Sequence, residues 1–146
     1  MAARCRECIR DSDTFARLGG DEFLCVLPAV ANQQMADIFT AHPDLDAFIL
    51  VGGWAQFGPQ AYAQNTDQVK AKLDSKELVI IAGDTLPPQI QAFKEGRSHA
   101  QIGQRPYQMG NEAPDVLIKL INGEAVEDPI YTGLDVCSTE DAGICK

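Results

Sequence analysis

The fold is decided by LVIIAGD at residues 78–84, where five consecutive apolar residues run directly into Gly83 and Asp84. A short strand that is apolar at every position is typical of a parallel sheet covered by helices on both faces. Further strands are predicted at 47–51 and 100–103, with an extended stretch at 130–136. Helices are predicted over 31–41, 57–73, 87–94 and 106–121. This alternation predicts an open, three-layer, mostly parallel α/β sheet with right-handed crossovers.

The composition of the 146 residues narrows the class of protein. With 45% hydrophobic and 23% charged residues, the chain is predicted to be globular, and no run of 18 apolar residues predicts a membrane span. The net charge of −9, without a dense basic cluster, argues against nucleic acid as a partner. A single CxxC at Cys5 and Cys8, with no second pair, is a weak zinc signal, so neither a metal nor another cofactor is expected.

Polar and aromatic residues follow the three central strands at the points where these strands end. In an open α/β sheet, ligands bind beyond the carboxyl ends of the strands, which share one edge. A carboxylate and an amide at that edge match neighbouring hydroxyls of a sugar, and an indole covers the apolar face of its ring. The candidate ligand-binding residues are Gly52, Gly53, Trp54, Asp84, Gln104 and Arg105.

Each of these residues also has a purely structural interpretation. Trp54 could pack in a core or an interface. Asp84 could cap the helix that begins near Pro87, and Gln104 could cap the helix that begins at Pro106. The positions alone leave these alternatives open.

Four blocks within residues 30–146 are similar, in the same order, to the ribose-type family of periplasmic sugar-binding proteins that serve ABC transporters. The blocks are TAHPDLDA at 40–47, LVIIAGDTLP at 78–87, FKEG at 93–96 with AQIGQRPYQMG at 100–110, and LINGE at 120–124. This part of the chain resembles the carboxyl-terminal half of a type I periplasmic binding protein. The resemblance implies that Asp84 and Gln104 bind sugar hydroxyls. A family position that is often Asn-Asp is Gly52-Gly53-Trp54 here, so Trp54 is expected to replace that contact.

The resemblance also implies two lobes that close on a sugar, a membrane permease of an ABC transporter as partner, and the periplasm as location. The first lobe would precede residue 30 and is not recognised in the sequence, so a truncated or fused module with weak or no binding is expected. The apolar stripe of the predicted helix 106–121 then needs another apolar surface, which predicts a homodimer as one solution. Residues 1–10 lack the apolar core of a signal peptide, so a cytoplasmic location stays open.

The carboxyl-terminal segment resembles a subgroup of the same family that has a disulfide there. The resemblance rests on TGLDVC at 132–137 and on Cys145, and it implies a bond between Cys137 and Cys145. The short loop between the two cysteines is compatible with closure, and two unpaired thiols are the alternative.

A second family is indicated by RDSDTFARLGGDEF at residues 10–23, which closely resembles the signature of the diguanylate cyclase domain. The motif itself comprises Gly19, Gly20, Asp21, Glu22 and Phe23. By resemblance the glycine pair contacts GTP, Glu22 assists a metal ion, and Arg10 with Asp13 binds cyclic di-GMP. Such phosphoryl transfer needs a second carboxylate and phosphate-holding backbone, which the preceding residues do not provide. The motif is therefore expected to form only a β-hairpin, without enzymatic activity.

The two resemblances divide the chain into two predicted units. Residues 1–29 form a cyclase-like fragment, with a helix over 2–9 followed by the hairpin, and residues 30–146 form the lobe of a sugar-binding protein. A fusion is the simplest account, and a natural, an engineered and an artefactual origin all stay open.

Overall fold

The computed structural model of the chain describes the backbone of residues 14–19 and 22–138, and the side chains of residues 27–138. The helix predicted over 2–9 lies outside the described residues. The elements, in chain order, are β1 (Thr14–Gly19), β2 (Glu22–Val26), α1 (Pro28–Ala41), β3 (Ala47–Leu50), a 3₁₀ turn (Trp54–Phe57), α2 (Pro59–Gln68), α3 (Lys70–Ser75), β4 (Val79–Gly83), α4 (Pro87–Lys94), β5 (Ala100–Gln104), α5 (Pro106–Ile121) and β6 (Leu134–Ser138).

The first two strands form the predicted hairpin. β1 pairs antiparallel with β2, with Thr14 opposite Val26 and Arg17 opposite Phe23, and the register shifts between Arg17 and Gly19. The turn between the strands contains Gly20 and Asp21, which lie outside the described residues.

The main sheet has the strand order β3-β4-β5-β6. β3, β4 and β5 are parallel, whereas β6 runs antiparallel to β5 with Val136 opposite Ile102. Helices connect the parallel strands because a parallel neighbour can be reached only by a crossover. The predicted open, mostly parallel α/β sheet is confirmed.

The core lies on one face of this sheet. Phe48 and Ile80 point toward α1 and α2, where Met35, Phe39 and Tyr62 are buried against them. The rings of Phe39 and Phe48 meet edge to face, with centroids 5.2 Å apart. Apolar residues at helical spacing in α1 and at alternate positions in the strands thus produce the larger cluster of the two-layer core, and Phe93 and Cys137 form a second, smaller one.

The opposite face of the sheet is bare within the described residues. Ile49 is 66% exposed and Val51 88% exposed, and Leu134 and Val136 on β6 are also exposed on this face. The prediction that helices cover both faces is therefore wrong for this part of the chain, and two of the three predicted layers are present. The fully apolar strands indicated a need for cover on both sides, but none of the described helices lies on that side.

Helix α5 follows the predicted bounds but packs weakly. None of its residues is buried, and Leu117, Ile118, Leu120 and Ile121 are all more than half exposed. The helix continues through Pro114. The apolar stripe that the sequence predicts for this helix is thus present and largely uncovered in the monomer.

Two predicted boundaries need correction. The single helix predicted over 57–73 is a 3₁₀ turn followed by α2 and α3, because Gly58-Pro59 starts a new helix and Val69 leaves helical geometry with φ −113°. The last strand begins at Leu134 rather than near 130, directly after Gly133 with φ +77°. None of the described helices is long and apolar enough to cross a membrane.

Candidate functional site

The loops that follow β3 and β4 meet at the carboxyl edge of the sheet. The backbone N–H of Gly53 donates a hydrogen bond to Oδ2 of Asp84, at 3.2 Å. The carbonyl oxygen of Gly53 accepts from the side chain of Gln89 on α4, also at 3.2 Å. Gly53 is therefore held between the carboxylate that follows β4 and the helix behind it.

Close backbone packing at this edge explains the glycines at the strand ends. A Cβ atom on Gly53 would lie 2.7 Å from the carbonyl oxygen of Gly83, and a Cβ on Gly83 would lie 2.4 Å from the carbonyl oxygen of Val51. A Cβ on Gly103 would lie 2.5 Å from Oγ1 of Thr85. At Gly53 and Gly83, backbone atoms that cannot give way cheaply exclude a side chain, whereas at Gly103 the obstacle is the side chain of Thr85.

Asp84 adopts a left-handed backbone conformation with φ +71°. Its N–H continues the sheet by donating to the carbonyl oxygen of Ile102, at 2.8 Å. Such a conformation costs a non-glycine residue about 1 kcal/mol, and it is maintained only where the surroundings enforce it. Strain of this kind is a feature of ligand sites, and it places the carboxylate at the edge.

The carboxylate of Asp84 has one oxygen open to a ligand. Oδ2 is engaged by Gly53, whereas Oδ1 takes part in no hydrogen bond among the described residues, and the side chain is partly exposed. The alternative role as a helix cap is wrong, since the N-cap position of α4 is Leu86 and no side chain caps it.

Trp54 lies at the same edge with its indole beside Gly52. A Cβ on Gly52 would lie 3.0 Å from Cε2 of the indole, and the Trp54 residue is 51% exposed. The alternative that Trp54 packs in a core is therefore wrong for the described structure. The structure brings together Gly52, Gly53, Trp54 and Asp84, and it leaves part of the ring accessible.

Gln104 is the last residue of β5 and faces the bare side of the sheet, opposite Leu134. It lines a shallow groove of about 230 Å³ with Val51, Gly83 and Leu134. Gly83, which lines the same groove, directly precedes Asp84. The alternative that Gln104 caps α5 is wrong, because the N-cap position of that helix is Arg105 and no side chain caps it.

Arg105 is turned toward β6. Its Nε and Nη2 atoms donate to Oδ1 of Asp135, at 3.0 and 2.6 Å. This hydrogen-bonded ion pair raises the pKa of Arg105 and lowers the pKa of Asp135. Among the described residues, no hydrogen bond joins Arg105 to Gly53, Trp54 or Asp84, so the structure does not bring Arg105 into that group.

Three buried glutamines beneath this edge were missed from the sequence. Gln56, Gln89 and Gln101 are at most 1% exposed and come from the 3₁₀ turn, α4 and β5. Gln101 occupies an inward position of its strand, between the half-buried residues Ala100 and Ile102. The alternation of the strand predicts an apolar residue at position 101. The glutamine found there was the signal in the sequence that could have indicated a buried polar role.

The other predicted sites fall mostly outside the described part of the chain. Gly19 ends β1 and Glu22 and Phe23 begin β2, whereas Arg10, Asp13, Gly20 and Asp21 are outside the described residues. Cys137 is buried in β6 and is disulfide-bonded. Because Cys145 lies outside the described residues, its pairing with Cys137 stays a prediction. Within residues 27–138, no cluster of three or more potential metal ligands is present.

Two family models match the sequence. Residues 26–125 match the periplasmic binding protein domain, and residues 1–43 match the diguanylate cyclase GGDEF domain. The ribose import binding protein of Salmonella typhimurium is 30% identical over 93 residues, which is 64% of this chain and 29% of that protein.

Solved structures of sugar-binding proteins share the fold. A glucose-galactose binding protein from Geobacillus stearothermophilus has a TM-score of 0.65 and 25% identity, covering 80% of this chain and 39% of that one. An ABC transporter solute binding protein from Agrobacterium vitis with bound D-fucose has a TM-score of 0.60 and 27% identity, covering 80% and 38%. A carbohydrate transporter solute binding protein from Agrobacterium radiobacter in complex with D-arabinose has a TM-score of 0.62 and 25% identity, covering 78% and 37%. The chain thus spans less than two fifths of the length of each of these relatives.

Proposed function

Because the chain belongs to the periplasmic binding protein domain family, we propose that it is a non-enzymatic module that binds a small sugar. Relatives with bound D-fucose and D-arabinose support a monosaccharide as the class of ligand. A membrane permease of an ABC transporter is the partner that fits such a module, and the periplasm is the location that fits both. The proposal concerns this chain, which spans only part of the length of those relatives.

The observation that carries the proposal is the fixed carboxylate of Asp84. A left-handed backbone and a bond from Gly53 hold one oxygen of Asp84 in place, and the other stays open at the edge where α/β sheets bind ligands. A carboxylate in this state accepts hydrogen bonds from sugar hydroxyls, and charge-assisted bonds are roughly twice as strong as neutral ones. Trp54 would cover the C–H face of the ring.

Gln104 and Arg105 have more distant roles in this proposal. Gln104 would reach a ligand that extends from Asp84 onto the bare face of the sheet, next to Gly83 and Leu134. Arg105 would have to leave Asp135 before it could bind a ligand. We therefore rank Asp84 and Trp54 above Gln104, and Gln104 above Arg105, as sugar contacts.

Binding is expected to be weak, because the described edge is open to solvent and a ligand pocket normally encloses most of its ligand. Titration calorimetry with D-ribose, D-arabinose, D-fucose, D-glucose and D-galactose tests the proposal. At least one sugar should bind with a Kd on the order of 1 mM, which corresponds to about −4 kcal/mol. Asp84→Ala should abolish this heat.

The matched control is Asp44→Ala. Asp44 is an exposed aspartate that precedes β3, at the opposite edge of the same sheet. The Asp44→Ala variant should bind the sugar with the same affinity as the unmodified chain. Equal heats for the unmodified chain and Asp84→Ala, or no heat with any sugar, would remove the basis of the proposal.

The exposed stripe of α5 favours a second proposal, that two copies of the chain associate. Leu117, Leu120 and Ile121 are more than half exposed, and a contiguous apolar surface of this kind commonly marks an interface. Light scattering that gives a dimer mass, and a monomer mass for Leu117→Glu/Leu120→Glu, is the expected result. A monomer at all concentrations would contradict it.

The match of residues 1–43 to the diguanylate cyclase domain raises the question of whether this segment is enzymatically active. We propose that this segment, with a boundary near residue 29, is a cyclase-like fragment without activity. Incubation with GTP and Mg²⁺ should give no cyclic di-GMP. Product that disappears in Glu22→Ala would place the enzymatic function first.

A further inference from the structure

Three buried glutamine side chains form a layer directly beneath Gly53 and Asp84. Gln56, Gln89 and Gln101 expose almost no surface, although each carries an amide. Burying an amide without partners costs roughly 1–3 kcal/mol. Apolar side chains at these positions would avoid that cost. A gain in folding stability therefore does not explain why glutamines are present here.

Gln101 bonds directly to the backbone of Asp84. Its amide nitrogen donates to the carbonyl oxygens of Asp84 at 3.1 Å and Ala82 at 3.2 Å. Its oxygen accepts from Nε2 of Gln56 at 2.7 Å and Oγ of Ser98 at 2.9 Å. This orientation of the amide is assigned from the bonds, since the reverse one would turn the oxygen toward acceptors and the nitrogen toward donors.

Gln89 reaches the same loop from the other side. Its Nε2 donates to the carbonyl oxygen of Gly53, and the N–H of Gly53 donates to the carboxylate of Asp84. Asp84 is thus fixed at its carbonyl by Gln101, at its N–H by Ile102, and at its carboxylate by Gly53. These bonds enforce the left-handed conformation that Asp84 would otherwise leave.

The glutamine layer retains an energetic cost. The Oε1 atoms of Gln56 and Gln89 have no hydrogen-bond partner among the described residues. Buried polar atoms without a partner are uncommon in folded proteins, so packing alone does not account for these two. The glutamines instead provide directional hydrogen bonds: Gln101 bonds to the backbone of Asp84, and Gln89 bonds to the backbone of Gly53.

We infer that Gln101, supported by Gln89, is a positioning residue that holds the Asp84 carboxylate in the geometry that receives the ligand. The inference rests on the proposed sugar-binding function, since it assigns a role within that site. Gln101 does not touch the sugar and acts only through Asp84. It therefore sets affinity without forming part of the binding surface.

The test compares Gln101→Met, which keeps the length of the side chain but removes both bonding groups, with Asn65→Ala. Asn65 is also buried, but it bonds Asn32 on α1 rather than the edge. Calorimetry with the five sugars gives the affinity, and the chemical shift of the Gly53 amide proton reports its bond to Asp84. Gln101→Met should weaken binding about tenfold, as loss of one well-formed hydrogen bond to the site would. It should also move the Gly53 proton upfield. Asn65→Ala should change neither by a comparable amount.

Unchanged affinity and an unmoved Gly53 proton in folded Gln101→Met would overturn the inference, as would equal effects in Asn65→Ala. If the unmodified chain binds none of the sugars, the proposed function fails separately, and the Gly53 proton alone decides whether Gln101 holds the loop. If Gln101→Met does not fold, Ser98→Ala takes its place, because it removes only one donor to the Gln101 oxygen. In that variant a shift of the Gly53 proton in the same direction supports the inference, and no shift overturns it.

Discussion

Replacing Gly103 by alanine tests the close packing of the strand ends. The new Cβ would lie 2.5 Å from Oγ1, 2.8 Å from Cγ2 and 3.2 Å from Cβ of Thr85, so the threonine side chain must move. Overpacking of this kind costs about 1–3 kcal/mol. For a chain of this length, 1 kcal/mol corresponds to roughly 3–4 °C in Tm. Gly103→Ala should therefore lower the Tm by about 3–12 °C.

The structure also specifies how that loss can be reversed. Thr85→Ala removes Oγ1 and Cγ2, which are the two nearest atoms, and leaves only the Cβ contact at 3.2 Å. In the Thr85→Ala background, Gly103→Ala should cost less than about 1 kcal/mol, so the double-mutant cycle should give a coupling energy of about 1–2 kcal/mol. Urea denaturation followed by circular dichroism measures all four chains. A Gly103→Ala variant as stable as the unmodified chain, or equal losses in both backgrounds, would refute the packing argument.

Two further predictions follow from single side chains. Lys76, the C-cap residue directly after α3, has a left-handed backbone with φ +61°. Lys76→Gly should therefore raise the unfolding free energy by about 0.5–1 kcal/mol. Lys76→Ala is the control, and an equal gain there would contradict the backbone explanation. Burial raises the pKa of Tyr62 from 10.0 to about 12. Between these two pH values the folded state keeps the phenolic proton that the unfolded state loses. The contribution of neutral Tyr62 to the unfolding free energy is therefore fully present below pH 10 and is lost as the pH rises toward 12. Denaturation series from pH 8 to 11.5 should show a smaller alkaline loss for Tyr62→Phe than for the unmodified chain, whereas parallel curves would argue against ionisation of Tyr62.

Much of the fold could be predicted because its signals are local. The apolar strands, the glycines after them and the helix bounds of α4 and α5 follow directly from short patterns. The meeting of Gly53 with Asp84 was also predictable, since the carboxyl ends of parallel strands share an edge. The ligand role of these residues stays a prediction.

The remaining features depend on partners that are distant in sequence. Arg105 was predicted at the ligand edge, but it bonds Asp135, thirty positions later, on a strand that runs the opposite way. Gln104 follows the strand alternation onto the bare face, opposite Leu134. The left-handed backbone of Asp84 requires the combined bonds of Gly53, Ile102 and Gln101, which no single-residue preference indicates.

The missing apolar cover of α5 has a consequence for how the molecule melts. A helix that buries no side chain shares little of the cooperative free energy of the core around Tyr62, so in the monomer its hydrogen bonds can break while the sheet is intact. Far-ultraviolet ellipticity should then decline on gentle warming, ahead of the near-ultraviolet signal of the packed aromatic rings. The chain would then melt in two steps, and the midpoint of the later step would report the unfolding of the core.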